Sequence, residues 1–381
     1  MMHTVSQLGH KLWFEAQVGA PSLIQKTMIN PVVASKELVR LALNPFFSLS
    51  QLQGQNQAGT FTTTYCTTKE LRSSSQFKGY LFSESSTATK LDRRPIWQLR
   101  QLATITDSDM IMVEAGKQII RKLPRHKALV IPLRLYLLLD VRGSWAEVKQ
   151  RFHKTVYRNE LRLIQKNGYT HQISHNLADF DDFYHHMYVP TMADRHGNLN
   201  TPLTRADLLT YLRYGFLFLI RAKDNQPVAG GLCHTQEKVL TLIASGVLNA
   251  DECLRKEGAL GALRAMLLEH AAGSNFETCS FGECAPFLDD GIFQYKRKWG
   301  AQIAIRNRRV WLKINHLTPA LAQFLQDNPI VIIDEKEQLH GLIVVDDPAL
   351  VRAEQKAEWE KKYATPGLNS LLIGRVADFA A

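Results

Sequence analysis

The sequence predicts an α/β protein built on a mixed sheet, and three observations carry that prediction. Residues 169 to 314 alternate β-rich runs with amphipathic helical ones, in the order strand, two helices, three strands, helix, strand, helix, strand. The run that follows the three strands reads as a helix yet carries two glycines near its start. Positive charge is concentrated: residues 141 to 170 hold seven Lys or Arg against two acids, and residues 292 to 313 hold seven against none, in a chain of net charge +10. Charge gathered in this way suits an anion held between two segments better than general stickiness, although two solvated helix faces would give the same count.

Taken in order, residues 1–106 form a polar N-terminal region of loops and short strands. "SLSQLQGQNQAGTFTTTYCTTKELRSSSQ" and "SESSTATK" are rich in Ser, Thr and Gln and weak in periodicity. A second region, 107–168, opens with the helical spacing of "DSDMIMVEAGKQIIRKLP" and continues into strand material, "ALVIPLRLYLLLDV", broken by Pro132. It closes with a basic helix, "GSWAEVKQRFHKTVYRNELRLIQKNGY". Ser144 caps that helix, and Trp145, Val148, Phe152, Val156 and Leu163 lie near one face. Lys149, Arg158, Arg162 and Lys166 spread over the rest, and Asn167 and Gly168 stop it.

A third region spans 169–316. "YTHQIS" is a strand, "LADFDDFYHHMYVPTM" and "TRADLLTYLRYG" are helices, and "FLFLIRAKDNQPVAGGLCHTQEKVLTLIASG" is a three-strand meander turning at "KDNQP" and "TQEK". A helix over about 251–272, a strand "FETCSFG", a helix "FLDDGIFQYKRKWG" and a strand pair through "AQIAIRNRRVWLKI" follow. The extension 317–381 reads as a hairpin, "NPIVIIDEKEQLHGLIVVDDP", and a charged helix, "PALVRAEQKAEWEKKY".

The apolar runs are too short for a bilayer span and carry arginine, and the N-terminus lacks the pattern of a secretory signal, so a cytoplasmic location is expected. Five scattered cysteines argue for reduced thiols over a disulfide framework. Cys279 and Cys284 lack a second ligand pair, so no metal is expected. There is no nucleophile elbow, Walker loop or HExxH.

"CLRKEGALGAL" (253 to 263) is the most suggestive stretch. Each helical glycine costs about 1 kcal/mol relative to alanine, so something must approach the backbone closely. One reading is an anion on the N–H groups of a helix start, with Arg255, Lys256, Gly258, Ala259 and Gly261 around it. The other is close packing against a neighbouring segment.

Together with "YRNELRLIQKNGY", "DFYHHMYVPTMADRHGN" and "DDGIFQYKRKWGA", this element order resembles the GNAT acyltransferase superfamily, in particular its FemABX-like and BioF2-like branch. The resemblance covers about residues 107 to 315. It implies a GNAT-like catalytic lobe, preceded by a partial or divergent first lobe. By resemblance, "RKEGALG" stands where that fold binds a pyrophosphate, although Gly261 falls one step late for the usual spacing. Tyr295 would supply the general acid, Lys296 would stabilise charge on the donor, and Glu283 would take the acceptor's proton. Arg195 and His234 would face substrate, with Arg158 and Arg162 on the basic helix.

The function so implied is N-acylation of an amine, such as a cell-envelope precursor, by direct attack on acyl-CoA. The alternatives are Fem-type transfer from aminoacyl-tRNA, and a nucleic-acid-binding module without catalysis. Contact with a membrane surface stays open.

Overall fold

The polar stretch after residue 45 is a long hairpin. In the computed structural model, which describes residues 45–67, 75–82, 86–102, 106–196 and 203–379, strand β1 (Phe46–Asn56) runs antiparallel to β2 (Gly59–Thr67), with Asn56 opposite Gly59. Sequence reading expected only loops and short strands here, because the residues are mostly Thr, Ser and Gln. Leu52, Phe61, Thr63 and Tyr65 nevertheless face the interior. Two of the hairpin's hydroxyls find side-chain partners: Thr64 Oγ1 lies 2.6 Å from Ser108 Oγ, and the Thr62 hydroxyl donates to Asp109 at 3.0 Å.

Helix α1 (Ser75–Leu81) and strand β3 (Thr87–Pro95) follow, then β4 (Met110–Gly116) and β5 (Ala128–Pro132). β4 replaces the helix expected from "DSDMIMVEAG". All seven of its residues are buried, and its edges are paired with β2 in parallel and with a later strand antiparallel. A strand enclosed on both faces loses the alternation that would have marked it.

The chain divides into two compact units, each assembled from separate stretches. One unit comprises Leu137–Gly282 and Lys296–Ala301 of the described chain; the other comprises the residues from 45 to Tyr136, Glu283–Tyr295 and those from Gln302 onward.

In the first unit, β6 (Leu135–Asp140) leads to helix α2 (Trp145–Gln150). Ser144 and Glu147 form the expected capping box. The predicted long basic helix is broken at Arg151–His153, where the His153 N–H donates to the Lys298 carbonyl at 2.7 Å. It resumes through a π turn (Val156–Leu161) into α3 (Arg162–Asn167), which ends at Gly168 in the left-handed conformation, φ 61°.

Strand β7 (Thr170–Ser174) precedes a helical run made of α4 (Leu177–Asp182), a second π turn (Phe183–Tyr188) and α5 (Val189–His196), and then α6 (Arg205–Arg213). The meander β8 (Gly215–Arg221), β9 (Pro227–Gln236), β10 (Val239–Val247) is antiparallel throughout. After it come α7 (Glu252–Lys256), α8 (Ala259–Ala272) and β11 (Thr278–Cys284), which runs parallel to β10. The order across this sheet is β6-β11-β10-β9-β8-β7. Phe180, Phe183, Met187, Leu208, Leu217 and Leu232 fill one core beneath it. Each such side chain contributes about 1.5–3 kcal/mol.

The remaining elements are α9 (Gly291–Arg297), β12 (Gln302–Ile305), β13 (Arg308–Ile314), α10 (Pro319–Asp327), β14 (Ile330–Ile333), β15 (Leu339–Val345), α11 (Ala353–Tyr363) and β16 (Ser370–Arg375). β12 and β13 do not form the expected pair. β13 instead lies between β4 and β5, completing the order β3-β1-β2-β4-β13-β5 in the second unit. β14 and β15 form the expected hairpin, which β16 joins in parallel. Leu52, Phe61, Met112, Phe287 and Phe324 share the core of this unit.

Candidate active site

Strands β10 and β11 separate soon after they meet. They are paired only from Val239 with Thr278 to Thr241 with Ser280. Beyond that point the register of β10 on β9 slips between Leu242 and Ala244, and β11 leaves the extended conformation at Gly282, φ 77°. Backbone groups beyond the pairing are thereby released from the ladder. Lys296 reaches this point from α9. It is only 7% exposed, and its Nζ lies 3.9 Å from the position that a Cβ on Gly282 would take; the Leu242 carbonyl oxygen lies at the same distance from that position. An ammonium held in such a low-dielectric setting acts strongly on any carbonyl group placed beside it.

The glycine motif is organised differently from the sequence expectation. The helix breaks at Gly258, whose φ of 87° only glycine adopts at little cost. Asp251 caps α7 by accepting the N–H groups of Cys253 and Leu254. Arg255 pairs with Asp194 at 2.5 Å, and Lys256 with Glu252 at 2.8 Å. A Cβ on Gly258 would lie 3.1 Å from Leu163, and one on Gly261 would lie 2.0 Å from Glu160 Oε2. Ala259 is fully buried. Of the two sequence readings, the glycines here serve close packing: side chains of the basic helix fill the place that a diphosphate was expected to take. The residues of this turn therefore do not fit a coenzyme A diphosphate as they stand.

Glu160 is the residue that the sequence reading passed over. The π turn directs it inward, and its carboxylate comes under the attraction of Lys298 and Arg264. Burial nevertheless dominates and pushes its pKa above the ordinary carboxylate range. Arg264, itself 8% exposed, donates to the Leu260 carbonyl at 3.0 Å and lies 6.0 Å from the Phe281 ring centre. Trp299 packs against both Phe281 and Phe152, which fixes the segment carrying Lys298. The only available signal was a single acid within a run of cations.

On the outer side of the same helix, Lys154, Arg158, Arg162 and Lys166 recur every four residues, all exposed. Among the described residues none of the four has a carboxylate within ion-pair distance. Steps of four residues advance about 6 Å along a helix.

In the second unit, Glu283 accepts a short hydrogen bond from the Tyr136 hydroxyl and stands 3.7 Å from Arg134. Arg306 lies over the Tyr136 ring, 4.2 Å from its centre. Burial first, and then the Glu283 carboxylate, push the Tyr136 phenol above its ordinary value, so it stays a donor. Tyr295 is half-buried on α9. His234, on β9, is buried edge-on to Tyr211 with ring centres 5.6 Å apart. The side chain of Arg195 lies outside the described residues. The thiols of Cys66, Cys233 and Cys279 are pushed up by burial, that of Cys66 to about 12, whereas Cys253 is exposed. Among the described residues no three His, Cys, Asp or Glu side chains gather in a way that could hold a metal ion, and no helix is long and apolar enough to cross a membrane.

One strand, two helical runs, an antiparallel meander, a helix, and a parallel strand that parts from the meander after three residues form the expected arrangement. The lobe has a GNAT-like fold. No protein-family model matches the sequence, and no curated protein matches it. Among solved structures the chain is similar to FemX, at 13% identity over 79% of this chain and 95% of that one, TM-score 0.42. It is also similar to the C-terminal domain of a putative lysylphosphatidylglycerol synthetase from Agrobacterium fabrum, at 11% identity over 74% and 89%, TM-score 0.37. A GCN5-related N-acetyltransferase from Kribbella flavida matches at 10% identity over 81% and 69%, TM-score 0.29. The fold assignment rests on the strand order.

Proposed function

We propose that the protein is a transferase that passes an aminoacyl group from the ester of a charged tRNA to an amine, the Fem-type reaction. The observation that carries this choice of donor is the row Lys154, Arg158, Arg162, Lys166. Four exposed cations, none with a carboxylate within ion-pair distance among the described residues, favour a polyanion that lies along them, and a nucleic-acid backbone provides phosphates in series. The GNAT-like fold and the parting of β10 from β11 support the transfer chemistry. The amine nitrogen attacks the ester carbonyl carbon, and the carbonyl oxygen gains negative charge that Lys296 stabilises. The C–O bond to the ribose then breaks as the amide bond forms. The proton lost by the amine is returned, directly or through water, to the departing ribose oxygen, which leaves as a hydroxyl.

Acyl-CoA is the second reading, favoured by the parting of two parallel strands beside a helix start. Salt distinguishes the two. Binding of charged tRNA should weaken steeply with salt, with a log–log slope that flattens by about 3 when all four cations of the row become alanine. Binding of coenzyme A would respond far less. Transfer of labelled amino acid from charged tRNA to an amine is the decisive assay; RNA binding without any transfer would favour the non-catalytic module.

A further inference from the structure

We infer that Glu160 sets the donor class, because its carboxylate occupies the space beside Gly261 on the first turn of α8, where a diphosphate would lie. The consequence for the donor rests on the transferase reading above, whereas the exclusion itself is a matter of binding.

Three observations converge. Gly261 has no side chain, and Glu160 Oε2 stands 2.0 Å from the position a Cβ would take there, with the carboxyl carbon at 3.1 Å. The glycine thus makes room for a carboxylate that the chain itself provides. Second, the nearby cations already act on that carboxylate: Lys298, from the segment after α9, and Arg264, about one turn further along α8, both attract it. Third, the two cations expected for the donor are paired, Arg255 with Asp194 and Lys256 with Glu252. A diphosphate brought to this turn would meet a buried carboxylate at van der Waals distance and gain no cation not already engaged. Repulsion between like charges in a partly buried site is strong, because little water screens it. Glu160 therefore acts as an internal anion. It leaves the turn closed to diphosphate-bearing donors, so that a donor must be recognised elsewhere on the surface.

The test is calorimetric titration of the full chain with free coenzyme A and, separately, inorganic pyrophosphate. The wild type and the variants Glu160→Ala and Glu160→Gln are compared. The wild type and Glu160→Gln, in which the space stays filled, are expected to show no binding at millimolar ligand. Glu160→Ala, which empties the space and leaves Lys298 and Arg264 in place, is expected to bind both ligands at least about tenfold more tightly. Wild-type binding of coenzyme A that Glu160→Ala leaves unchanged would overturn the inference. So would silence from a folded Glu160→Ala. Should that variant not fold, Glu160→Ser takes its place with the same two outcomes, and wild-type binding on its own still overturns the proposal. Failure of the transferase reading is seen separately, as absence of aminoacyl transfer by the wild type whatever the titrations show.

Discussion

Arg255 and Asp194 are joined by a 2.5 Å ion pair that ties α7 to the end of α5. The arginine expected to grip a donor is thus occupied in holding two helices together. Arg255→Ala should lower stability by no more than about 1 kcal/mol, since the pair is partly exposed, and should leave transfer activity within about twofold. A double-mutant cycle with Asp194→Ala, followed by denaturant unfolding, measures the coupling. A hundredfold loss of donor affinity in the single variant would show that the pairing is not its role.

Gly261→Ala should be destabilising by about 1–3 kcal/mol, because the new methyl group displaces the Glu160 carboxylate from a packed position. Combining it with Glu160→Ala should cost less than the two substitutions summed, since the clash disappears. Thermal or denaturant unfolding of the three variants checks this non-additivity.

The pH dependence of stability follows from the raised pKa of Glu160. In the folded state the group holds its proton more tightly than in the unfolded chain, where the ordinary value is about 4.3. Its favourable contribution is therefore fully present below that value and is lost as pH rises through the folded pKa. Glu160→Gln removes this loss. Its melting temperature should match that of the wild type near pH 4 and exceed it near pH 7; a constant difference across that range would contradict the assignment.

Glu114 is 1% exposed in the second unit and is held by Arg308 and by the Tyr65 hydroxyl. Glu114→Ala strips the partner from both, so it should cost about 3–5 kcal/mol, as breaking a buried pair does. Denaturant unfolding reads the change directly.

Lys296→Ala should reduce turnover by about 10²–10³-fold with little change in tRNA affinity, because its proposed role is charge stabilisation during transfer. Single-turnover kinetics beside filter binding separate the two effects. A fall in affinity alone would move Lys296 from the chemistry to donor binding.

The meander and the elements around it were legible because β8, β9 and β10 are bounded by polar turns whose residues announce themselves. β4 was not, since Met110–Gly116 is enclosed on both faces and shows no period. β1 and β2 were hidden by their hydroxyl-rich composition, which the partners Ser108 and Asp109 make tolerable only in the folded chain. The position of β13 between β4 and β5 depends on pairing between distant segments, which local pattern does not record. At the site, "RKEGALG" announced a close approach to the backbone correctly. What approaches was beyond local reading, because Glu160 and Leu163 come from another helix. Lys296 was named from the resemblance, and its burial beside Gly282 is visible only in three dimensions.

The π turn at Val156–Leu161 makes the helix that contains it two-sided. The wide turn takes up one residue more than regular winding would, so the segments on either side keep their facing: Lys154 is exposed before it, Arg162 and Lys166 are exposed after it, and Leu163 stays seated on Gly258. The extra residue lets one continuous helix present a row of cations to one side while turning the Glu160 carboxylate to the other.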